Sequence, residues 1–179
     1  MKQIFFLTGI VCLSLVMVRA SWAAQGIAII KGTQSDSKIS GEVKFTETDD
    51  GLELEATVAN VPNPGKHGFH IHEFGSCDDI GKACGGHYNP DGVPHGLLEK
   101  DGFEKAHAGD LGNIEIKEDG TGTLKAFLPG VSLSEGEYSV AGRAVVLHEK
   151  EDDFGQPTGN AGGRIGCGTI IVTTNTVLP

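Results

Sequence analysis

Positive charge is scarce in this chain. Lys and Arg together number 14 against 24 Asp and Glu, which gives a formal net charge of −10 at pH 7. That balance speaks against nucleic acid and anionic membrane surfaces as partners, since both are bound through clustered cations. A long apolar run is also missing. The longest, Ile4 to Val18, falls short of the ~20 residues a spanning helix needs. Beyond it no segment has the length and period of a helix. No linker, internal repeat or low-complexity stretch divides the chain, and cysteine is limited to four residues.

The beginning of the chain reads as a secretory signal peptide over residues 1–23. Lys2 precedes the apolar run, Arg19 follows it, and Ser21-x-Ala23 fits a small-x-small cleavage rule. Cys12 follows Val11 rather than a small residue, so a lipid anchor is not expected. Cleavage before Ala24 removes Lys2 and Arg19 and no acid, leaving 12 basic against 24 acidic residues, a net of −12. Residues 24–179 are sized for one domain with its own core, free of the membrane. Three cysteines survive, Cys77, Cys84 and Cys167. In an oxidising compartment their arithmetic is one disulfide and one thiol.

What the chain does have is glycine, 27 residues of it, and short apolar alternations separated by turn signals. This is an all-β pattern. Ile39 to Thr46 and Leu52 to Val58 alternate on either side of Asp49-Asp50-Gly51 and form a predicted hairpin. Further strands are expected around His70, over Asn113–Lys117 and Gly122–Leu128, from Tyr138 to His148 and from Arg164 to Thr173. Two long loops, Gly75–Gly112 and Glu149–Gly163, interrupt them and hold most of the polar residues with chemical potential. About eight antiparallel strands imply an eight-stranded Greek-key β-sandwich or flattened barrel.

The stretch GFHIHEFG, Gly68 to Gly75, is the most informative. On a strand His70 and His72 share one face while Phe69 and Ile71 point into the core. Such a pair suits copper or zinc and needs further ligands, for which His87, His95, His107 and His148 are available downstream. His67 has the parity of Phe69 and Ile71 and is expected to be structural.

Taken in order, GFHIHEFG, GGHYNP, AHAGDLGN, AVVLHEKEDD and GNAGGRIGCG resemble a secreted copper/zinc superoxide dismutase, bacterial in type, from about Ala28 to Val172. The resemblance implies copper on His70, His72, His87 and His148. It implies zinc on His87, His95, His107 and Asp110, with His87 shared. A carboxylate tethering ligands of both metals falls on Asp152 or Asp153, with Asp152 preferred. Arg164 matches the family's anion-guiding arginine, and His87 would also carry a proton in a two-stage cycle that turns superoxide into oxygen and hydrogen peroxide. Cys77 and Cys167 match the family's disulfide, which leaves Cys84 as a free thiol, an alternative disulfide partner or a copper ligand. The chain departs from the family where His95-Gly96 runs into Leu97-Leu98, which would loosen zinc. From the family's eukaryotic branch it departs in the shortness of the second loop, whose one basic residue is Lys150, which puts steering by that loop's charges in doubt. The periplasm is the implied compartment, the extracellular space the alternative, and both a homodimer and a monomer stay open.

Overall fold

The structure is a computed structural model, described over residues 23–173. The signal-peptide reading of residues 1–23, with Cys12 in it, lies outside the described residues apart from Ala23. Nine strands follow one another: β1 (Gln25–Gly32), β2 (Ser40–Thr48), β3 (Gly51–Ala59), β4 (Gly65–His72), β5 (Asp110–Ile116), β6 (Gly122–Pro129), β7 (Ala144–His148), β8 (Arg164–Thr169) and β9 (Ile171–Thr173). Every pairing between these strands is antiparallel. Their order in space is β2-β3-β6-β5-β4-β7-β8-β1-β9, and β1 also pairs with β2, so the first eight close into a barrel and β9 is an addition at β1. The long crossings β3–β6 and β4–β7 give the expected Greek-key character.

The barrel is filled from alternate positions. Ala28 and Ile30 of β1, Val43 and Phe45 of β2, Leu52, Leu54 and Ala56 of β3, Phe69 and Ile71 of β4 and Leu147 of β7 are all buried in one cluster. Each large side chain removed from water there contributes about 1.5–3 kcal/mol before entropy is counted. The hairpin predicted around Asp49-Asp50-Gly51 is present as β2–β3, in register from Ser40↔Ala59 to Thr48↔Gly51.

Four elements differ from expectation. Residues 138–143 are not strand: Arg143 N–H closes a turn onto the Val140 carbonyl, and Gly142 takes φ of 79°, so β7 begins only at Ala144. Arg164–Thr173 is two strands, because Ile170 turns into the core and its N–H bonds the Arg143 carbonyl, after which β9 continues along β1. β1 was absent from the expected strands. The first long loop holds two short helical pieces, a 3-10 turn at Lys82–Cys84 and α1 (Leu98–Asp101), the latter seated by the buried Leu98. No helix among the described residues is long and apolar enough to cross a membrane.

Candidate metal centre

β4 turns His70 and His72 to the side opposite Phe69 and Ile71, and all four are buried. β7 lies beside it, pairing His70 with Val146, and ends at His148. The ladders slip a register at both places: between Gly68 and His70 on β4, and between Leu147 and His148 on β7. Such irregularities re-aim side chains at a strand end. The first loop then folds back on β4. Tyr88 N–H bonds the Ile71 carbonyl (2.8 Å), and His87 comes to pair with His72. Gly109 closes the fold: a Cβ there would run into the Ile71 carbonyl, and only its absence lets Asp110 approach.

Two nested donor sets result. His70, His72, His87 and His148 form one; His87, His95, His107 and Asp110 form the other; the donor atoms within each set lie within 4.8 Å of one another. His72 Nε2 and His148 Nε2 are 3.3 Å apart. Asp110 Oδ1 is 2.9 Å from His87 Nδ1 and 3.1 Å from His107 Nδ1. His95 Nδ1 stands 2.8 Å from Asp110 Oδ2 in a direction that makes no hydrogen bond, and together with His70 Nδ1 it is a buried nitrogen without a hydrogen-bond partner. Unpaired buried nitrogens are costly. One belongs to a residue of each set, and a cation held by that set would satisfy it, so the residues fit a pair of metal ions.

The electrostatics agree. Burial first, then neighbouring charge, pushes His72 down to about 2 and His148 to about 3. Burial lowers His87 to about 4, although its bond to Asp110 opposes this. These three rings are therefore neutral and ready to donate. His95 goes the other way: burial would lower it, but Asp110 and Asp152 outweigh that and raise it to about 9. Burial also disfavours the Asp110 and Asp152 carboxylates, yet their imidazole bonds hold both well below the usual carboxylate range.

Asp152 joins the two sets. Its Oδ2 lies 2.8 Å from His70 Nε2 and 3.1 Å from His95 Nε2, with Oδ1 3.0 Å from the latter. Partners of this kind fix ring orientation and tautomer. Asp153 instead faces solvent, accepting from Gly155 N–H and the Asn160 amide. Arg164 opens β8. Its guanidinium donates to the Gly81 and Gly85 carbonyls, both at 2.6 Å, and lies close enough to the first set to help lower His72 and His148. His67 belongs to neither set; its ring nitrogens lie 2.8 Å from the His148 carbonyl and 2.9 Å from that of Asn63, tying β4 to the main chain of a donor.

Cys77 and Cys167 form the disulfide. Cys84 is free and buried, packed with Cys167, Ala144 and Val146, and its thiol donates to the Gly81 carbonyl (2.9 Å). Sequence reasoning missed two amides. Asn113 holds the Asp152 main chain at both its N–H and carbonyl, and Gln156 does the same to His95. No local signal marks either, because an amide in a loop becomes significant only through what the fold sets opposite it.

A model of the family described as copper/zinc superoxide dismutase (SODC) matches residues 39–170. An extracellular copper-zinc superoxide dismutase of Caenorhabditis elegans is 42% identical over 144 residues, covering 75% of this chain and 62% of its own length. The chain thus spans less than two thirds of that relative. The crystal structure of the clock protein EA4 superposes with a TM-score of 0.74 at 34% identity, over 86% of this chain and 97% of the other. With the two donor sets, the disulfide and the barrel all in view, the match across most of the sequence shows that this chain belongs to the copper/zinc superoxide dismutase family.

Proposed function

We propose that the chain dismutates superoxide to oxygen and hydrogen peroxide, with copper on His70, His72, His87 and His148 and zinc on His87, His95, His107 and Asp110. The observation that carries this reading is His87, which belongs to both donor sets. Four imidazole nitrogens suit copper in either oxidation state, and three nitrogens with one carboxylate oxygen suit tetrahedral zinc. Bound copper supplies the one-electron exchange, taking an electron from one superoxide and returning it to another. His87 keeps its Nδ1 toward Asp110 and has Nε2 free for the first set. That Nε2 is the atom proposed to take up a proton in one half of the cycle and give it to the departing peroxide in the other. Arg164, fixed by two carbonyls, presents a permanent cation that attracts and orients the anion. The chain's own acidity does not prevent this, since surface carboxylates beyond about 8 Å are screened at physiological salt.

The extracellular relative supports export, in keeping with the leader expected over residues 1–23. The destination we propose is the periplasm, with the extracellular medium as the alternative; recovery in osmotic-shock fluid or in culture medium separates them. The net charge gives no footing for nucleic acid or membrane. A homodimer is proposed through exposed Ile29, Phe74, Ile171 and Val172. Ile29 and Ile171 line one groove with Thr169, whose hydroxyl bonds Gly75 beside Phe74. Sedimentation of the wild type against Ile171→Asp tests this, and a monomer in both refutes it.

The direct test of function is superoxide disappearance by the mature chain from Ala24, loaded with both metals and assayed for metal content on the same sample. One copper and one zinc per chain with fast, salt-sensitive decay is expected. Stoichiometric metals with no decay above that of chelated free copper would overturn the proposal.

A further inference from the structure

The second loop, Glu149–Gly163, carries one basic residue, Lys150, against Glu149, Glu151, Asp152 and Asp153, so its own net charge does not attract an anion. Its contacts point elsewhere. Three of its residues at alternate positions all meet His95. Asp152 takes the ring at Nε2. Phe154 stacks on the ring face, 6.3 Å between centroids at 19°. Gln156 takes the main chain: His95 N–H donates to Gln156 Oε1 (3.0 Å), and Gln156 Nε2 donates to the His95 carbonyl (2.8 Å). The orientation of this amide is fixed, because a backbone N–H can only donate and a carbonyl can only accept. A side-chain amide here does what a neighbouring strand's peptide would do, for one residue that has no strand. Gly159 completes the closure; with φ of 76°, any Cβ on it would collide with the Asp152 carboxylate and approach His95 Nε2.

This bears on the departure at His95-Gly96-Leu97-Leu98. There the chain moves directly into α1, and the position of His95 depends on what grips it from outside. We propose that Gln156 is a positioning residue that sets how firmly zinc is retained, the shortened loop acting as a clamp on the zinc half of the centre. The inference rests on the reading of His95 as a zinc donor. It involves no contact of Gln156 with metal or substrate. The amide fixes the His95 backbone, and through it the direction of Nδ1.

The test uses metal-free full-length mature protein titrated with Zn2+ against a chromophoric chelator, and with Co2+ followed by its visible bands. Gln156→Met keeps the length and loses both bonds; Gln156→Glu keeps the acceptor for His95 N–H and loses the donor. The zinc dissociation constant should rise about 10–100-fold in Gln156→Met and by an intermediate factor in Gln156→Glu, as for other partners that orient a ligand. The Co2+ bands should weaken in the same order, with copper binding unchanged and the metal-free melt lowered only as far as the loss of two hydrogen bonds accounts for. If the wild type itself shows no stoichiometric Zn2+ and no tetrahedral Co2+ spectrum, the zinc reading fails and takes this inference with it. If the wild type binds and both variants bind as tightly, the clamp is overturned and the zinc reading stands. A loss of copper binding equal to that of zinc would show a merely structural role and also overturn it. Gln156→Glu decides the matter should Gln156→Met not fold.

Discussion

Replacing both Cys77 and Cys167 by Ala is expected to remove about 4.6 kcal/mol of stability. The disulfide joins residues 90 apart in sequence. For a loop of that length the chain-entropy relation gives about 15–16 cal/mol/K returned to the unfolded chain, hence about 4.6 kcal/mol at 25 °C. Ala is preferred to Ser because Cys167 is buried against Cys84, Ala144 and Val146, where a hydroxyl would add a desolvation cost of its own. Urea unfolding of the metal-free protein reads the effect. With a slope of about 2 kcal/mol/M, the midpoint should fall by about 2 M. Function should respond as well. The bond ties the segment after Cys77, which includes Gly81 and Gly85, to the strand that begins at Arg164, so it closes the ring in which the guanidinium is held. Superoxide decay by the metal-loaded double variant should slow with metal content retained. A midpoint shift below about 0.5 M at unchanged slope would refute the entropic reasoning.

Asp152→Asn leaves one acceptor oxygen for two imidazole N–H groups, so retention of both metals against a chelator should fall about 10–100-fold, and unchanged retention would refute the bridging role. Arg164→Ala should lower the rate of superoxide decay and flatten its dependence on salt at unaltered copper content; an unchanged rate would remove the guiding role. Zinc binding to the metal-free protein at pH 7 should release about one proton per ion, because His95, raised to about 9, carries a proton that the metal must displace. Zinc affinity should therefore climb with pH up to about 9, and a flat profile from 6.5 to 9 would contradict this. Metal-free stability should fall as pH drops from 6.5 towards 3. In that window the unfolded chain takes up protons that buried His72, His87 and His148 refuse, and Asp110 and Asp152 add to the loss below about 4. His95 has the opposite sign, contributing stability below 6.5 that is lost as pH rises through about 9. Acid and alkaline melts check both limbs.

The hairpin and the His70 strand were legible because their apolar and polar residues alternate cleanly, so that placing Phe69 and Ile71 inside necessarily turns His70 and His72 together. β1 was not, because its outer face carries Ile27 and the exposed Ile29, which hides the alternation behind a continuous apolar run. The strand expected from Tyr138 failed at Gly142, whose left-handed turn is invisible in a hydrophobic pattern. The donor residues could be named from local motifs, but their convergence depends on Gly109 and Asp110 meeting the Ile71–Tyr88 segment, a contact between stretches distant in sequence. Asn113 and Gln156 depend wholly on such contacts.

The two register shifts on β4 and β7 behave like dislocations in an otherwise regular lattice. A dislocation of this kind cannot glide out of a ladder without rupturing the main-chain bonds on both sides of it, and here each lies where the neighbouring strand is already committed. The wall that carries His70, His72 and His148 is therefore written in the topology of the sheet, while the opposite wall is written in the loop contacts around Gly109. The sheet wall fixes where side chains at positions 70, 72 and 148 project, whatever those side chains are, so this backbone is a template onto which another ligand set could be installed if its members also met Asp152 and the Gly85 carbonyl.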